Sequence, residues 1–265
     1  MFSKFQLAKK YLHYYFTASN GKGHGIHSPF VFDFIIKVLN DKKEYACYNS
    51  IEKRRAALLT DATIIEVEDF GAGSSVIKTN NRVVKDIARS SLKPKKFSQL
   101  LFRMVQYYQP KTIVELGTSF GITTAYLAAG NNNAKVFTCE GAKNIAAIAK
   151  QTFSDLHQQN IELTEGDFAK TLPPLLMQLK NIDLAFVDGN HRKQPTLDYF
   201  TQLLNVSTSS TILIFDDIHW STEMEEAWDE IQQHISVTLT IDLFFIGIVV
   251  LSDDFKAKQH FVVRF

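Results

Sequence analysis

From residue 111 onward, short runs of β-forming residues alternate with stretches of helical length, and that alternation restricts the fold more than any other feature. "TIVEL" (112–116), "KVFTC" (135–139), "IELT" (161–164), "IDLAFV" (182–187) and "TILIF" (211–215) are the strand candidates. Such spacing predicts βαβ units and a parallel sheet covered by helices on both faces. "VTLTIDL", "FIGIVVL" and "HFVVRF" then follow with no helical pattern between them, so the sheet is expected to finish with antiparallel strands. Residues 1–92 lack the alternation. They are expected to form a mainly helical N-terminal extension or cap, joined through "SSLKPKKF" to a domain over 93–265.

Composition narrows the partners. Lys and Arg number 29 against 28 Asp and Glu, a net charge of +1, which gives no broad basic field for nucleic acid. Cys47 and Cys139 form no spaced framework, which fits a reducing compartment and points to the cytoplasm. The longest strongly apolar run, "FFIGIVVL" (244–251), is too short to span a bilayer. Near the start, Phe2, Phe5, Leu12 and Phe16 can share one helical face with Lys4, Lys9 and Lys10 elsewhere. That face is expected to dock on the chain's own core or on a twin subunit in a homodimer; a membrane surface is the alternative. Further on, Pro195 marks a helix start, and Thr222 with Glu225 forms a candidate capping box for a helix facing inward with Met224, Trp228, Ile231 and Ile235.

The chemistry begins at "IVELGTSFGITTAYLA" (113–128), where a strand runs through Glu115, Gly117 and Gly121 into a helix. Glycines allow a tight turn beneath a ligand, and a helix N-terminus offers unpaired N–H groups to an anion. The spacing is E-x-G-x-x-x-G, so the dinucleotide pattern G-x-G-x-x-G is absent. Glu140 ends the second strand, where a carboxylate can accept both hydroxyls of a ribose. "EGDF" ends the third, where Asp167 can accept from an adenine amino group with Phe168 against the ring.

These three motifs, in this order, resemble the Rossmann-like (class I) S-adenosylmethionine-dependent methyltransferases. The resemblance spans roughly residues 93–251 and implies a three-layer α/β fold with strand order 3-2-1-4-5-7-6, strand 7 being antiparallel. It further implies that Glu115, Gly117, Thr118, Ser119, Gly121, Glu140, Gly141, Asp167, Phe168 and Asp188 bind S-adenosylmethionine. "EDFGAGSS" (68–75) looks like a second glycine motif but is followed by no strand ending in an acid, so it is expected to be a loop of the extension.

Two further segments concern the methyl acceptor. "FVDGNHRKQ" (186–194) ends the fourth strand with Asp188 and brings His191 three residues later, and "FDDIHW" ends the fifth with Asp216 and Asp217. Three crowded carboxylates require a divalent cation, raised pKa values or basic neighbours, and all-oxygen ligands suit Mg2+, Ca2+ or Mn2+. The segments are similar to the metal-dependent O-methyltransferases of the catechol O-methyltransferase type. The resemblance implies Asp188, Asp216 and Asp217 as metal ligands, with Asp188 and His191 as catalytic residues. Asp217 stands where that pattern has Asn, and His191 where it has Lys. Structural roles remain open for each: Asp188 at the cofactor's amino or sulfonium end, Asp216 or Asp217 as a cap near Ser221, His219 and Trp220 in packing. "HGIHSPF" (24–30) is expected to be a structural turn. The leading expectation is a methyltransferase acting on a hydroxyl of a small molecule, with or without a divalent cation. Transfer to nitrogen or to a macromolecule, and a non-catalytic S-adenosylmethionine-binding protein, are the alternatives.

Overall fold

A computed structural model describes residues 1–67 and 80–265; the glycine-rich stretch at 68–75 lies outside the described residues. The chain divides into two compact units, Lys42–Gln178 and Met1–Asp41 with Leu179–Phe265.

The second-named unit opens with α1 (Lys4–Thr17). Ser3 caps it reciprocally: the Gln6 N–H donates to Ser3 Oγ, and the Ser3 N–H donates to Gln6 Oε1. Its packed face is Leu7, Tyr11 and Tyr14, set against Phe244 and Phe245. The Tyr14 hydroxyl donates to the Val263 carbonyl, which holds the helix on the C-terminal segment. The expected inward face is therefore the outward one, with Phe5, Leu12 and Phe16 all exposed. The aromatic tyrosines, which carry a polar tip able to find a partner, took the packed side. Then come α2 (Pro29–Phe34), started by Pro29 at its first position, and a π-helical turn (Ile35–Leu39). Of "HGIHSPF", residues 24–28 form the turn before α2, with Gly25 at φ +78°, and Pro29 and Phe30 open the helix.

In the unit Lys42–Gln178, α3 (Ala46–Thr60), the paired strands β1 (Ile64–Glu66) and β2 (Asn81–Val83), and α4 (Val84–Ser91) precede α5 (Lys95–Tyr108). After these come β3 (Thr112–Leu116), α6 (Ile122–Gly130), β4 (Lys135–Glu140), α7 (Lys143–Asp155), β5 (Ile161–Glu165) and α8 (Phe168–Gln178). β3, β4 and β5 pair in parallel, with β4 central, which is the 3-2-1 half of the expected order. Residues 42–67 and 80–92 pack with this sheet segment: Tyr48 of α3 meets Phe102 of α5 and Tyr126 of α6 edge-on, at 5.1 and 5.5 Å between ring centres.

The remaining elements are β6 (Ile182–Val187), α9 (Lys193–Leu204), β7 (Ser207–Asp216), α10 (Thr222–Gln233), β8 (Leu239–Asp242), β9 (Ile246–Val250) and β10 (Gln259–Val262). β6 and β7 are parallel, while β9 runs antiparallel between β7 and β8, which gives the 4-5-7-6 half. β10 adds to β8 in parallel, a strand beyond that order. α10 is capped by Ser221, whose Oγ accepts the Met224 N–H, and not by Thr222. The helix ends at Gln233, so Ile235 falls outside it and is 88% exposed.

Candidate functional site

The glycine turn after β3 is built on left-handed backbone: Gly117 has φ 101°, Ser119 48° and Gly121 79°. Glu140, at the end of β4, spans this turn and its own loop. Its Oε2 accepts the Ser119 N–H at 2.8 Å and its Oε1 accepts the Ala142 N–H at 3.0 Å. Gly117 and Thr118 both donate backbone N–H groups to the Cys139 carbonyl, which ties the turn to β4. Gly166, with φ 130°, donates its N–H to the Glu140 carbonyl and leads into Asp167, whose Oδ1 accepts the Ala169 N–H at 3.1 Å. Glu140, Gly141, Asp167 and Phe168 are all partly exposed at this edge.

Glu115 differs from the others. Its side chain is fully buried, and Oε2 accepts from the hydroxyls of Thr124 at 2.5 Å and Thr138 at 2.6 Å. The carboxylate therefore braces β3, β4 and α6 beneath the turn. The resemblance assigns Glu115 to the cofactor; the two hydroxyl bonds to Oε2 give it a bracing role beneath the turn as well. Thr124 and Thr138 were not singled out in the sequence; hydroxyls at positions of buried periodicity were the available signal.

In the other unit, β6 and β7 are parallel and in register from Val187↔Phe215, so Asp188 and Asp216 emerge at the same edge. His191 returns to them because Asn190 adopts φ 68°. Arg192 donates to Asn190 Oδ1 at 2.9 and 3.1 Å, and Asn190 Nδ2 donates to the Tyr199 hydroxyl, which pins this turn. His191 Nε2 lies 3.5 Å from Asp188 Oδ1. Asp188, His191 and Asp216 offer ligand atoms all within 4.8 Å of one another, the one such group of three among the described residues. Ligand atoms around an ion at ~2.1 Å lie ~3 to ~4 Å apart, so a small closure would fit a cation.

Asp217 is not in this group. It sits at φ 53°, its N–H donates to the Phe245 carbonyl and its own carbonyl accepts from Trp220, so it turns the chain away from β7. Asp217 lies one residue beyond the end of β7, and its left-handed backbone sets it apart from the Asp188, His191 and Asp216 group. Asp and Asn share a tolerance for left-handed backbone, which accounts for an acid where the catechol-type pattern has an amide. With His191 in its place the donor set becomes two carboxylates and an imidazole. That moves the preference from an all-oxygen Mg2+ site toward Mn2+ or Zn2+.

His219, beyond that turn, bridges two carboxylates: Nδ1 is 2.9 Å from Glu225 Oε1 and Nε2 is 2.8 Å from Asp242 Oδ2. Lys10 also bonds Glu225. Burial draws the His219 pKa down, but hydrogen bonds and charge from Asp242 and Glu225 outweigh it and hold the value above the ordinary one. Stability from this clamp is full below the ordinary imidazole value of ~6.5 and is lost as pH rises through the raised folded value. Wild-type melting temperature should therefore fall, as pH rises above about 6.5, more steeply than that of His219→Gln. Parallel profiles by calorimetry would show that the imidazolium contributes nothing.

Residues 114–218 match a family model described as a methyltransferase domain. Over 127 residues the chain is 32% identical to a catechol O-methyltransferase of Niastella koreensis, a match covering 46% of this chain and 55% of that protein. The chain thus spans just over half the length of that curated relative. Among solved structures, the SAH-bound Podospora anserina methyltransferase PaMTH1 superposes with a TM-score of 0.58 at 12% identity, covering 96% of this chain and 98% of that one. The O-methyltransferase from Bacillus cereus in complex with SAH gives 0.52 at 19% identity, covering 79% and 92%. The domain match is confined to residues 114–218, and the fold is the one these solved structures share, a mainly parallel sheet flanked by helices.

Proposed function

We propose that this protein is an S-adenosylmethionine-dependent O-methyltransferase acting on a small-molecule hydroxyl, assisted by a divalent cation held by Asp188, His191 and Asp216. The observation that carries the reading is the grouping of those three side chains at the ends of two adjacent parallel strands, in a chain that also bears the ordered Gly121, Glu140 and Asp167 motifs. In the transfer, the acceptor oxygen attacks the sulfonium methyl carbon. The O–CH3 bond would form as the S–CH3 bond breaks, the electron pair staying on sulfur as S-adenosylhomocysteine leaves and the hydroxyl proton passing to solvent water. Glu140 is assigned the ribose hydroxyls, Asp167 the adenine amino group and Phe168 the adenine face, with Gly117 to Gly121 admitting the cofactor closely to the backbone. When bound, the cation supplies Lewis-acid stabilisation of the acceptor oxyanion and lowers the hydroxyl pKa. His191 and Asp188 orient each other by their side-chain contact.

That contact also favours a second reading, in which no cation is held and His191, aligned by Asp188, accepts the acceptor proton as general base. Transfer from labelled S-adenosylmethionine to a panel of catechols and other phenols, with Mn2+ and with EDTA, separates the two. Full turnover in EDTA selects the metal-free base. Cofactor binding is tested independently: Glu140→Ala should weaken S-adenosylhomocysteine binding by about 10- to 100-fold in calorimetry, the loss of charge-assisted hydrogen bonds. Unchanged affinity would remove Glu140 from the ribose, and absence of a methylated product with cofactor bound would favour a non-catalytic cofactor-binding protein.

A further inference from the structure

Residues 1–32 contain no Asp or Glu, yet they include Lys4, Lys9, Lys10 and Lys22. Within them α1 is fixed along one side by Leu7, Tyr11 and Tyr14. The opposite side carries Phe5, Leu12 and Phe16, at 80%, 56% and 76% exposure. At ~100° per residue these three fall within about 40° of one another, a single apolar stripe along the helix spanning ~16 Å. Lys9 and His13 border the stripe on one side and Lys4 on the other, and Lys4, Lys9 and His13 are exposed. Lys10 is engaged with Glu225 inside its own unit.

Burial of large aromatic and aliphatic side chains favours any partner that removes them from water. A second copy fits poorly. A stripe ~16 Å long and one helix face wide offers a few hundred Å2, short of the ~800 Å2 per partner of a stable interface, and a two-fold contact would bring equal lysine-rich surfaces together. A lipid surface imposes no shape requirement, accepts Phe and Leu at the headgroup boundary and supplies negative charge to flanking lysines.

We propose that α1 lies in the plane of an anionic phospholipid surface, with Phe5, Leu12 and Phe16 inserted at the headgroup boundary and Lys4 and Lys9 against lipid phosphates. The inference is independent of the methyl-transfer reading. No helix among the described residues is long and apolar enough to cross a membrane, so the contact is interfacial.

Cosedimentation of the full chain with vesicles tests this, using phosphatidylcholine alone and phosphatidylcholine with one-quarter phosphatidylglycerol. Partitioning should be at least tenfold greater on the anionic vesicles and weaken in 0.5 M salt. The triple substitution Phe5→Ser, Leu12→Ser, Phe16→Ser should lower it at least tenfold with melting temperature little changed, because all three are mostly exposed and the ring contact of Phe16 is with its neighbour Tyr15 on the same helix. Lys4→Glu with Lys9→Glu should lower it on anionic vesicles. Equal partitioning of wild type and triple variant, or no binding of wild type to anionic vesicles, overturns the proposal. Dimerisation in light scattering that the triple variant abolishes, without vesicle binding, would instead assign the face to a second copy.

Discussion

Asp216→Asn is expected to lower methyl-transfer turnover about 100-fold or more while leaving the cation-free protein as stable as wild type, or more so. Asp216 is 2% exposed and shares its site with Asp188. Two carboxylates facing each other in a desolvated edge repel, so neutralising one relieves the site when no ion is present. With an ion present, the same change removes a ligand. The amide binds a hard or borderline cation less well than a carboxylate, and stabilisation of the acceptor oxyanion is lost with it. The two effects have opposite sign, which keeps a folding defect from imitating a metal defect. Wild type should gain stability with Mn2+, about 2.7 kcal/mol at an ion concentration 100 times the dissociation constant, and Asp216→Asn should gain little. Asp217→Asn should behave like wild type in both measurements, since Asp217 stands outside the three-residue group and both residue types accept its left-handed backbone. If Asp217→Asn abolishes the Mn2+ response and Asp216→Asn does not, the ligand assignment is reversed.

Local signals carried most of the sheet. The runs at 112–116 and 182–187 coincide with β3 and β6 because buried parallel strands require continuous apolar residues, which stand out against polar loops. The turn glycines were likewise visible, since Gly117 and Gly121 occupy backbone that other residues enter at a cost. Helix orientation was less legible. In α1, Phe5, Leu12 and Phe16 form one good apolar stripe and Leu7, Tyr11 and Tyr14 another, and only the docking on Phe244 and Phe245 decides between them. The site was legible to the level of segments but not of side chains. Asp216 and Asp217 are equivalent in composition; the left-handed turn at Asp217 separates them, and it shows only once β7 is known to end at Asp216. His191 depends on the turn at Asn190, and Glu115 on two threonines 9 and 23 residues further along the chain. Such long-range choices leave no periodic trace.

Gly121→Ala should destabilise the unit Lys42–Gln178 by about 3 kcal/mol, the sum of two separable costs. The first is conformational: at φ +79° a side chain costs ~1–2 kcal/mol. The second is steric, because a Cβ there would stand 2.5 Å from Phe153 Cε1 and 3.0 Å from Cζ, with the Ala149 Cα at 3.4 Å behind. Phe153 packs from α7 onto the start of α6, so its ring must shift or the turn must open, at a cost of ~1–3 kcal/mol. Gly25 isolates the first cost, since it has φ +78° and nothing within 4 Å of its would-be Cβ. The entropy gained in the unfolded chain on replacing Gly by Ala is common to both sites and cancels in the comparison. Denaturant titration should therefore give a larger loss for Gly121→Ala than for Gly25→Ala, the difference being the ring overlap. Adding Phe153→Leu to Gly121→Ala should recover part of that difference, whereas Phe153→Leu alone should destabilise. Because the N–H groups that follow Gly121 begin α6 and Ser119 is held by Glu140, an opened turn should also weaken S-adenosylhomocysteine binding. If Gly121→Ala and Gly25→Ala lose the same stability and the double variant shows no recovery, close approach to α7 is not what requires glycine at this position.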